Sequence, residues 1–338
     1  MKFKAEVPVV HTFDVRYVVP AAVSFLSMLE NSSPDIFYRI HVLHSGLPDC
    51  DIGMLESVVA RFENATVEFH DVSDLIPRLH RLFEGLVASG RRHYAKEMFL
   101  KLMLPDLFPS YGRIIVSDVD VVWKGDVATG FLDWNEDEEY IAGINSRLCR
   151  CAWSDAQDDA NLSPFSPKER EAIRNGVGAG YLFLNCDAMR RNGMVEKLTD
   201  FVASNLSRLR NPEQDTFNIV CEGHIGMLPN RMMVCTYLYE RCTKQEMNIN
   251  APIIADPVQI HYASQTKPWN TPSCCLSEEW YKVLLRTPVF KRAMHRFDPP
   301  MKKKKSWLQT SFGLPVVRVK SKPLRDAEYK LFGLFKLH

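Results

Sequence analysis

The sequence predicts an α/β fold in which a mainly parallel sheet is flanked by helices. Short apolar stretches alternate with stretches of helical periodicity, the connections between them are short, and no stretch reaches the about 18 apolar residues that would span a bilayer. A βαβαβ alternation of this kind favours parallel strands joined by right-handed crossovers. Of the 338 residues, 46% are hydrophobic and 25% are charged, which is typical of a globular chain and excludes wholesale disorder.

The alternation is clearest in the first part of the chain. Apolar residues at helical spacing follow the first strand, and the polar run Asn31-Ser32-Ser33-Pro34 ends that helix. In order, we predict a strand at 7–12, a helix at 17–30, a strand at 37–44, a helix at 49–62 and a strand at 65–70.

The later elements are predicted by the same periodicities. We expect a helix at 94–104 that is ended by Pro105, and the longest helical stretch at 188–206. The polar turn 211–215 opens another helix that runs to Val220. The predicted later strands are 114–116, 140–145, 181–185 and 257–262.

The strand at 114–116 ends in two carboxylates, Asp118 and Asp120, one residue apart. Ile114, Ile115 and Val116 form a short β-branched run, which is typical of a buried strand in a parallel sheet. Two acids at such a strand end repel each other and resist desolvation unless a cation compensates them. Carboxylate oxygens suit Mn²⁺ or Mg²⁺. The alternative is an edge turn with two solvated aspartates.

Three further polar stretches have a functional and a structural interpretation. Asp14 and Tyr17 could hold a base by hydrogen bonding and stacking, or Asp14 could simply cap the next helix. The acids of 213–215 could face a ligand, or could be favoured by the dipole of the helix that they open. His261 ends a strand, and Lys267 follows it in a loop stiffened by Pro268, which suits a metal–diphosphate complex.

The net charge of +1 is unevenly distributed along the chain. Residues 286–338 hold 14 Lys or Arg against 3 Asp or Glu, whereas the first 285 residues hold 28 against 38. This asymmetry predicts an acidic catalytic body and a basic tail with its own partner. The tail mixes Lys302–Lys305 with Trp307 and with aromatic residues near its end, which suits an anionic membrane surface; the alternative is a last helix that packs on the body.

Targeting and redox signals point to a cytoplasmic protein. The apolar run 18–29 contains Pro20 and lacks a small-residue cleavage site, so we expect no signal peptide. The chain has nine cysteines, an odd number, and lacks a Cys-x-x-Cys pair, so we expect reduced thiols. Nucleic acid is not expected as a partner, because no recognition motif accompanies the lysines.

Together, the order and residues of these segments resemble glycosyltransferase family 8 over roughly residues 5–285. The bacterial lipopolysaccharide and capsular glucosyl- and galactosyltransferases of that family have the most similar motifs. The segments that carry the resemblance are Asp14-Val15-Arg16-Tyr17, Lys101-Leu102-Met103-Leu104, Asp118-Val119-Asp120 with Trp123-Lys124-Gly125-Asp126, Gln214-Asp215, and His261-Tyr262 with Lys267-Pro268-Trp269.

The resemblance implies a single GT-A-type, Rossmann-like domain at 1–285 with a mixed, mainly parallel sheet, followed by the basic helical extension 286–338. It implies a retaining enzyme that moves glucose or galactose from a UDP-sugar to a saccharide or lipid-linked saccharide, with Mn²⁺ or Mg²⁺ as cofactor. Peripheral attachment to the inner face of the cell membrane would follow from the tail.

The resemblance also implies roles for individual residues. Asp118, Asp120 and His261 would bind the metal, while Gln214, Asp215 and Lys101 would act near the reacting sugar. The residues implied to contact the nucleotide sugar are Thr12, Asp14, Tyr17, Asp118, Val119, Gly178, Ala179, Glu213, Ser264 and Lys267.

Two departures from the family pattern have consequences. An Asn is usual in the segment that reads Gly178-Ala179-Gly180 here, so a side-chain amide that would contact the donor sugar is missing. Ser264 stands where a loop glycine is expected. The first departure leaves the identity of the sugar open, and the second concerns only the loop.

The resemblance implies retention of configuration but leaves two mechanisms open. Gln214 is a poor nucleophile, so we expect front-face attack with the departing phosphate as proton acceptor, and Asp215 is the alternative nucleophile of a double displacement. Two other functions compete: a non-catalytic sugar-nucleotide-binding relative, and an Asp-x-Asp phosphatase, which would need its motif near the start of the chain.

Overall fold

A computed structural model describes residues 2–75, 96–134, 138–146, 160, 162–236, 255–263 and 266–295. The described strands, in chain order, are β1 (Ala5–Thr12), β2 (Ile36–His44), β3 (Ala65–Asp71), β4 (Arg113–Ser117), β5 (Val121–Trp123), β6 (Ile141–Asn145), β7 (Val177–Asn185), β8 (Ile225–Met227), β9 (Val234–Cys235) and β10 (Gln259–His261).

Seven of these strands form the main sheet, in the order β3-β2-β1-β4-β7-β6-β8. Strands β3, β2, β1 and β4 are mutually parallel, and β6 is parallel to β8. Strand β7 is antiparallel to both of its neighbours, β4 and β6. The predicted α/β fold with a mixed, mainly parallel sheet is therefore confirmed.

The described α-helices cover the two faces of the sheet. In chain order they are α1 (Val18–Glu30), α2 (Asp49–Val59), α3 (Leu104–Leu107), α4 (Pro167–Asn175), α5 (Cys186–Arg191), α6 (Met194–Asn205), α7 (Pro212–Val220), α8 (Ser277–Leu284) and α9 (Phe290–His295). Short 3₁₀ helices lie at Val15–Tyr17, Ser73–Leu75, Lys96–Met103 and Asn230–Met232.

Two helix predictions were wrong in detail. The stretch predicted at 188–206 is two helices, α5 and α6, because Gly193 adopts a left-handed φ of 59° between them. The longest described helix is instead α1. Pro105 does not end a helix: it occupies the first turn of α3, where its missing N–H is harmless. The start of the helix predicted at 94–104 lies outside the described residues.

Strand β4 is buried on both faces, as its β-branched run predicted. Ile115 packs in the core that includes α1, α2 and the small second sheet, whereas Ile114 and Val116 pack in the opposite core with Phe99 and Leu198. All five of these side chains are at most 1% exposed. Alternate residues of one strand therefore support two separate hydrophobic layers.

The second sheet has three strands in the order β5-β10-β9. Strand β5 begins directly after Asp120, and β10 runs antiparallel to it. Because β10 pairs with β5, the end of a late strand is brought beside the Asp-x-Asp segment.

The first residues of the predicted extension pack against the body. Val289 and Ala293 are buried in the α1 core, Arg286 pairs with Glu30, and Arg292 pairs with the buried Asp51. The remainder of the extension, 296–338, lies outside the described residues, so the division at 285 stays a prediction.

Within the described part of the chain, no helix is both long and apolar enough to cross a bilayer. Among the described cysteines, Cys50, Cys186 and Cys221 carry free thiols.

Candidate active site

Asp118, Asp120 and His261 converge at the end of β4. The Nε2 atom of His261 lies 3.1 Å from Oδ1 of Asp120 and 3.6 Å from Oδ2 of Asp118. One potential ligand atom from each residue falls within 4.8 Å of the others. Asp120 and His261 are buried, and Asp118 is partly exposed. Two acids and an imidazole 141 residues beyond Asp120 thus share one space.

Backbone pairing explains this convergence. His261 lies opposite Val121 in the β10–β5 pair, and the amide of Tyr262 donates to the carbonyl of Asp120 at 2.9 Å. On the other side, the amide of Asp118 donates to the carbonyl of Gly180 at 2.9 Å. The Asp-x-Asp segment is therefore fixed between β7 of the main sheet and β10 of the second sheet.

Gly180 is a part of this arrangement that the sequence interpretation missed. A Cβ at this position would lie 2.4 Å from Cε1 of His261 and 2.7 Å from its Nδ1, closer than real Cβ contacts permit. The same Cβ would lie 3.3 Å from Oδ2 of Asp118. The glycine leaves the space in which the imidazole reaches the acids. A glycine inside a strand pattern was the available signal for such a close approach.

Each of the two acids pairs with a different lysine. Nζ of Lys101 donates to Oδ1 of Asp118 at 2.6 Å and to the carbonyl of Ala179 at 3.0 Å, and its side chain is only 3% exposed. Nζ of Lys267 donates to Oδ2 of Asp120 at 2.5 Å and to the carbonyl of Tyr262 at 2.6 Å. Each acid thus has one oxygen paired with an ammonium and its other oxygen beside His261.

These contacts shift the pKa values of the buried groups. Burial alone would raise the pKa of Asp120, but Lys267 and His261 lower it well below its ordinary value. Burial would lower the pKa of His261, but Asp120 and Asp118 raise it. For Lys101, the attraction of Asp118 and Glu213 outweighs burial, and its pKa is raised. The site is therefore an ion network that holds Asp120 ionised.

Glu213, Gln214 and Asp215 at the start of α7 occupy different surroundings. Oε1 of Glu213 lies 3.9 Å from Nζ of Lys101, and its Oε2 is buried without a hydrogen-bond partner in the described part of the chain. Burial raises the pKa of Glu213. Oε1 of Gln214 accepts from the amide of Ala179 at 3.2 Å. Glu213 and Gln214 therefore border the site through Lys101 and β7.

Asp215 is directed toward the backbone at the start of its own helix. Its Oδ2 accepts from the amides of Arg210 at 2.7 Å and Asn211 at 2.9 Å, and the residue is 2% exposed. Asp215 lies in the first turn of α7, where the helix dipole favours an acid, but its bonds go to amides that precede the helix, and among the described residues no side chain caps the start of α7. Gly178 and Ala179 are buried in β7, next to the site backbone.

The residues predicted to hold the nucleotide lie around the end of β1. Asp14 caps the 3₁₀ turn 15–17 by accepting from the amide of Arg16 at 2.8 Å, and it also pairs with the Arg16 guanidinium. The ring of Tyr17 meets Trp269 edge to face at 5.9 Å, and burial together with Asp120 and Asp118 raises the pKa of its phenol. Val119 is 3% exposed.

Two buried polar atoms at the end of β1 have no hydrogen-bond partner within the described chain: Oγ1 of Thr12 and Nε2 of His11. The other ring nitrogen of His11 lies 2.7 Å from the carbonyl of Ser117, and burial lowers the pKa of His11 to about 4. Nε2 of Gln259 donates to Oγ of Ser117 at 3.1 Å. His11 and Gln259 support the end of β4 and were not predicted. Ser264 lies outside the described residues.

The comparison with known proteins identifies the family. A model of glycosyl transferase family 8 matches residues 8–272, and this chain belongs to that family. The family membership supports a transferase rather than an Asp-x-Asp phosphatase.

Two curated relatives are lipopolysaccharide 1,2-glucosyltransferases of Escherichia coli. One is 22% identical over 313 residues, which cover 88% of this chain and 85% of the relative. The other, from strain K12, is 22% identical over 200 residues, covering 59% of this chain and 56% of the relative.

Solved structures share the fold. The bifunctional glycosyltransferase WbbM in its apo form aligns with a TM-score of 0.69 at 21% identity, covering 87% of this chain and 52% of that protein. The galactosyltransferase LgtC, in complex with donor and acceptor sugar analogues, aligns with a TM-score of 0.60 at 17% identity, covering 83% of this chain and 96% of that one. The mixed sheet with flanking helices is thus a GT-A-like architecture.

Proposed function

We propose that this protein is a retaining, metal-dependent hexosyltransferase that moves glucose or galactose from a UDP-sugar to a saccharide of a lipopolysaccharide or another surface glycan. The convergence of Asp118, Asp120 and His261 at the carboxyl end of β4 carries this proposal. Open α/β sheets bind ligands at that end of their strands. The two lipopolysaccharide glucosyltransferases support the acceptor class.

The residues present fit a divalent cation. Two carboxylates and one imidazole nitrogen lie within 4.8 Å of one another, and the absence of a side chain at Gly180 leaves room for the His261 ring. This largely oxygen donor set suits Mn²⁺ or Mg²⁺. When bound, the metal would neutralise charge on the leaving diphosphate.

The two lysines would position the donor. Lys267 lies on a loop beside Asp120, where its ammonium would bind the diphosphate of the donor. Lys101 is buried and held by Asp118, Glu213 and the Ala179 carbonyl, and its fixed charge would act on the donor sugar or its phosphate. Tyr17, Asp14 and Thr12 would line the uridine pocket, with Val119 contributing backbone to the ribose.

The surroundings of the α7 start favour front-face attack. A double displacement needs a carboxylate beneath the anomeric carbon. Oδ2 of Asp215 accepts hydrogen bonds from the backbone amides of residues 210 and 211. The side chain of Gln214 is an amide, and its oxygen accepts a hydrogen bond from the backbone of Ala179. In the front-face path, the departing phosphate oxygen takes the acceptor's proton as the new glycosidic bond forms on the same face, and Gln214 orients the sugar.

A donor screen by UDP release tests the proposal. We expect release from UDP-glucose or UDP-galactose with Mn²⁺, its loss after chelation, and greater release with a saccharide acceptor. Binding of UDP without any turnover would favour the non-catalytic relative. Turnover that is unaffected by chelation would contradict the metal assignment.

The basic extension would hold the enzyme at the inner face of the cell membrane, beside a lipid-linked acceptor. Each basic residue near an anionic surface contributes about 1 kcal/mol. We expect the full chain to float with anionic liposomes and a chain truncated at Pro300 to remain behind while turning over a water-soluble acceptor. Equal flotation of the two chains would contradict the role of the extension.

A further inference from the structure

A second group of metal-ligating side chains lies on β2 and β3, outside the candidate active site. In the described part of the chain, His41, Glu68 and His70 are the other set whose ligand atoms fall within 4.8 Å of one another. His41 lies opposite Glu68 in the β2–β3 register, and His70 is two residues further along β3, so all three project from one face of the sheet. Strand β3 forms an edge of the main sheet.

The geometry of these atoms matches a shared ligand position. Nδ1 of His41 lies 3.0 Å from Nε2 of His70 and 3.7 Å from Oε2 of Glu68. Ligand atoms at about 2.0–2.2 Å from a tetrahedral cation are themselves roughly 3.3 Å apart, so small side-chain adjustments suffice. Without a metal, one of these two imidazole nitrogens can donate a hydrogen bond to the other.

Neighbouring groups hold two of these side chains in orientation. The other ring nitrogen of His41, Nε2, lies 2.9 Å from the hydroxyl of Tyr111, which fixes the ring and directs Nδ1 toward the group. Arg39 contacts Oε1 of Glu68 at 3.4 Å, leaving Oε2 toward His41. The charge of Arg39 is itself paired with both oxygens of Glu6, at 2.7 and 2.9 Å.

The β2–β3 group differs from the buried ion network of the candidate active site in that one of its side chains is half-exposed. His41 is 3% exposed and packs on Phe108 with a ring separation of 4.9 Å, whereas the Glu68 side chain is 47% exposed. A metal ion can enter past the half-exposed Glu68 side chain and bind the buried imidazole of His41. The fourth position would face solvent.

We propose that His41, Glu68 and His70 form a second metal site, which binds Zn²⁺ and clamps the edge strand β3 to β2. Two imidazoles and one carboxylate suit Zn²⁺ better than Mn²⁺ or Mg²⁺, which prefer oxygen ligands. The site is separate from the transferase chemistry, since β1 lies between β2 and β4 in the sheet. Its role is to stabilise a strand that, among the described strands, has a neighbour on one side only.

Cobalt(II) is a visible probe of this site in the full chain, because tetrahedral Co²⁺ absorbs far more strongly than octahedral Co²⁺. We expect one equivalent of Co²⁺ to give intense visible bands without the near-ultraviolet band of a thiolate ligand, and Zn²⁺ to displace it. His70→Ala should abolish the bands and weaken binding at least about tenfold. His224→Ala, which removes an exposed imidazole elsewhere, should leave the bands unchanged.

A second variant keeps the test independent of folding defects. Glu68→Gln changes a half-exposed side chain without altering its shape, and it should also lose at least about tenfold in Co²⁺ affinity. Zn²⁺ should raise the melting temperature of the wild-type chain and not that of either variant. Weak octahedral spectra, or bands that survive both His70→Ala and Glu68→Gln, would overturn the proposal.

Discussion

The candidate active site and the β2–β3 group both combine imidazole with carboxylate, yet they differ in what surrounds them. At the end of β4 the acids outnumber the imidazole, two ammonium groups hold them, and there is no space for a Cβ beside the His261 ring. On β2 and β3 the imidazoles outnumber the acid, and one ligand is half-exposed. Donor type and confinement, rather than the mere presence of titratable groups, set the chemistry that each place can support.

The confined candidate active site should not tolerate an added methyl group at Gly180. Gly180→Ala would place a Cβ 2.4 Å from the His261 ring, which must shift away from Asp118 and Asp120. We expect the free energy of unfolding to fall by about 1–3 kcal/mol. We also expect Mn²⁺-dependent transfer to fall at least about tenfold. Denaturant unfolding and UDP release measure the two effects.

Gly53→Ala is the matched control for that variant. Gly53 lies inside α2, and apart from its chain neighbours and the backbone of its own helix, no atom of the described residues lies within 4 Å of the position that an alanine Cβ would take. Alanine there should therefore be neutral or stabilise the chain by about 0.5–1 kcal/mol. If Gly180→Ala behaves like Gly53→Ala in stability and activity, the His261 ring is not confined as described.

The ammonium group of Lys267 at the candidate active site should compete with a metal ion for Asp120 and should help to bind the nucleotide. Lys267→Met removes the charge from Oδ2 of Asp120. Mn²⁺ alone should therefore bind several-fold more tightly, because the acids lose a competing cation. UDP with Mn²⁺ should bind about tenfold to a hundredfold more weakly, because a charge-assisted hydrogen bond to phosphate is lost.

Titration calorimetry with Mn²⁺ alone, and then with UDP at saturating Mn²⁺, separates these opposite effects. Lys124→Met, which removes a half-exposed ammonium paired with Glu279, should change neither. A change of both affinities in the same direction would mean that Lys267 acts only through the local fold.

The charged side chain of Arg39, beside the β2–β3 group, should have the smallest influence on metal affinity. Arg39 touches Glu68 at 3.4 Å, and both side chains are partly exposed, so their attraction is worth roughly 0–1 kcal/mol. Arg39→Met should therefore change the Co²⁺ affinity of the β2–β3 group by less than about fivefold, as followed by the visible bands. A loss as large as that of Glu68→Gln would show that Arg39 fixes the carboxylate in place.

The sequence was informative where a residue's role follows from its own strand. The parallel order of β1, β2 and β3 and the burial of β4 follow from periodicity and β-branched runs, and the polar strand ends at Asp118 and His261 follow from the same pattern. The family resemblance then indicated that these distant ends meet. The strand features are displayed by single segments, whereas the meeting of the strand ends was indicated by the order of several segments along the chain.

The rest depends on pairings between segments. Gly180 acquires its importance only when β10 brings the His261 ring to it, and His11 and Gln259 only when both reach Ser117. The β2–β3 group needs the register that places His41 opposite Glu68. The break at Gly193, where φ is 59°, was missed although the polar run Arg190-Arg191-Asn192-Gly193 interrupts the apolar spacing and ends in a turn dipeptide.

The most direct test of the active-site account is Mn²⁺-dependent binding of UDP to Asp120→Asn, beside Asp200→Asn as a control on the exposed surface of α6. The neutral amide keeps the shape of the side chain but weakens its oxygen as a ligand. We predict that Asp120→Asn loses at least about a hundredfold in Mn²⁺-dependent UDP affinity and in UDP release, which corresponds to about 2.7 kcal/mol, whereas Asp200→Asn matches the wild-type chain. Unchanged affinity and turnover in Asp120→Asn would contradict the assignment of Asp118, Asp120 and His261 to a single metal ion.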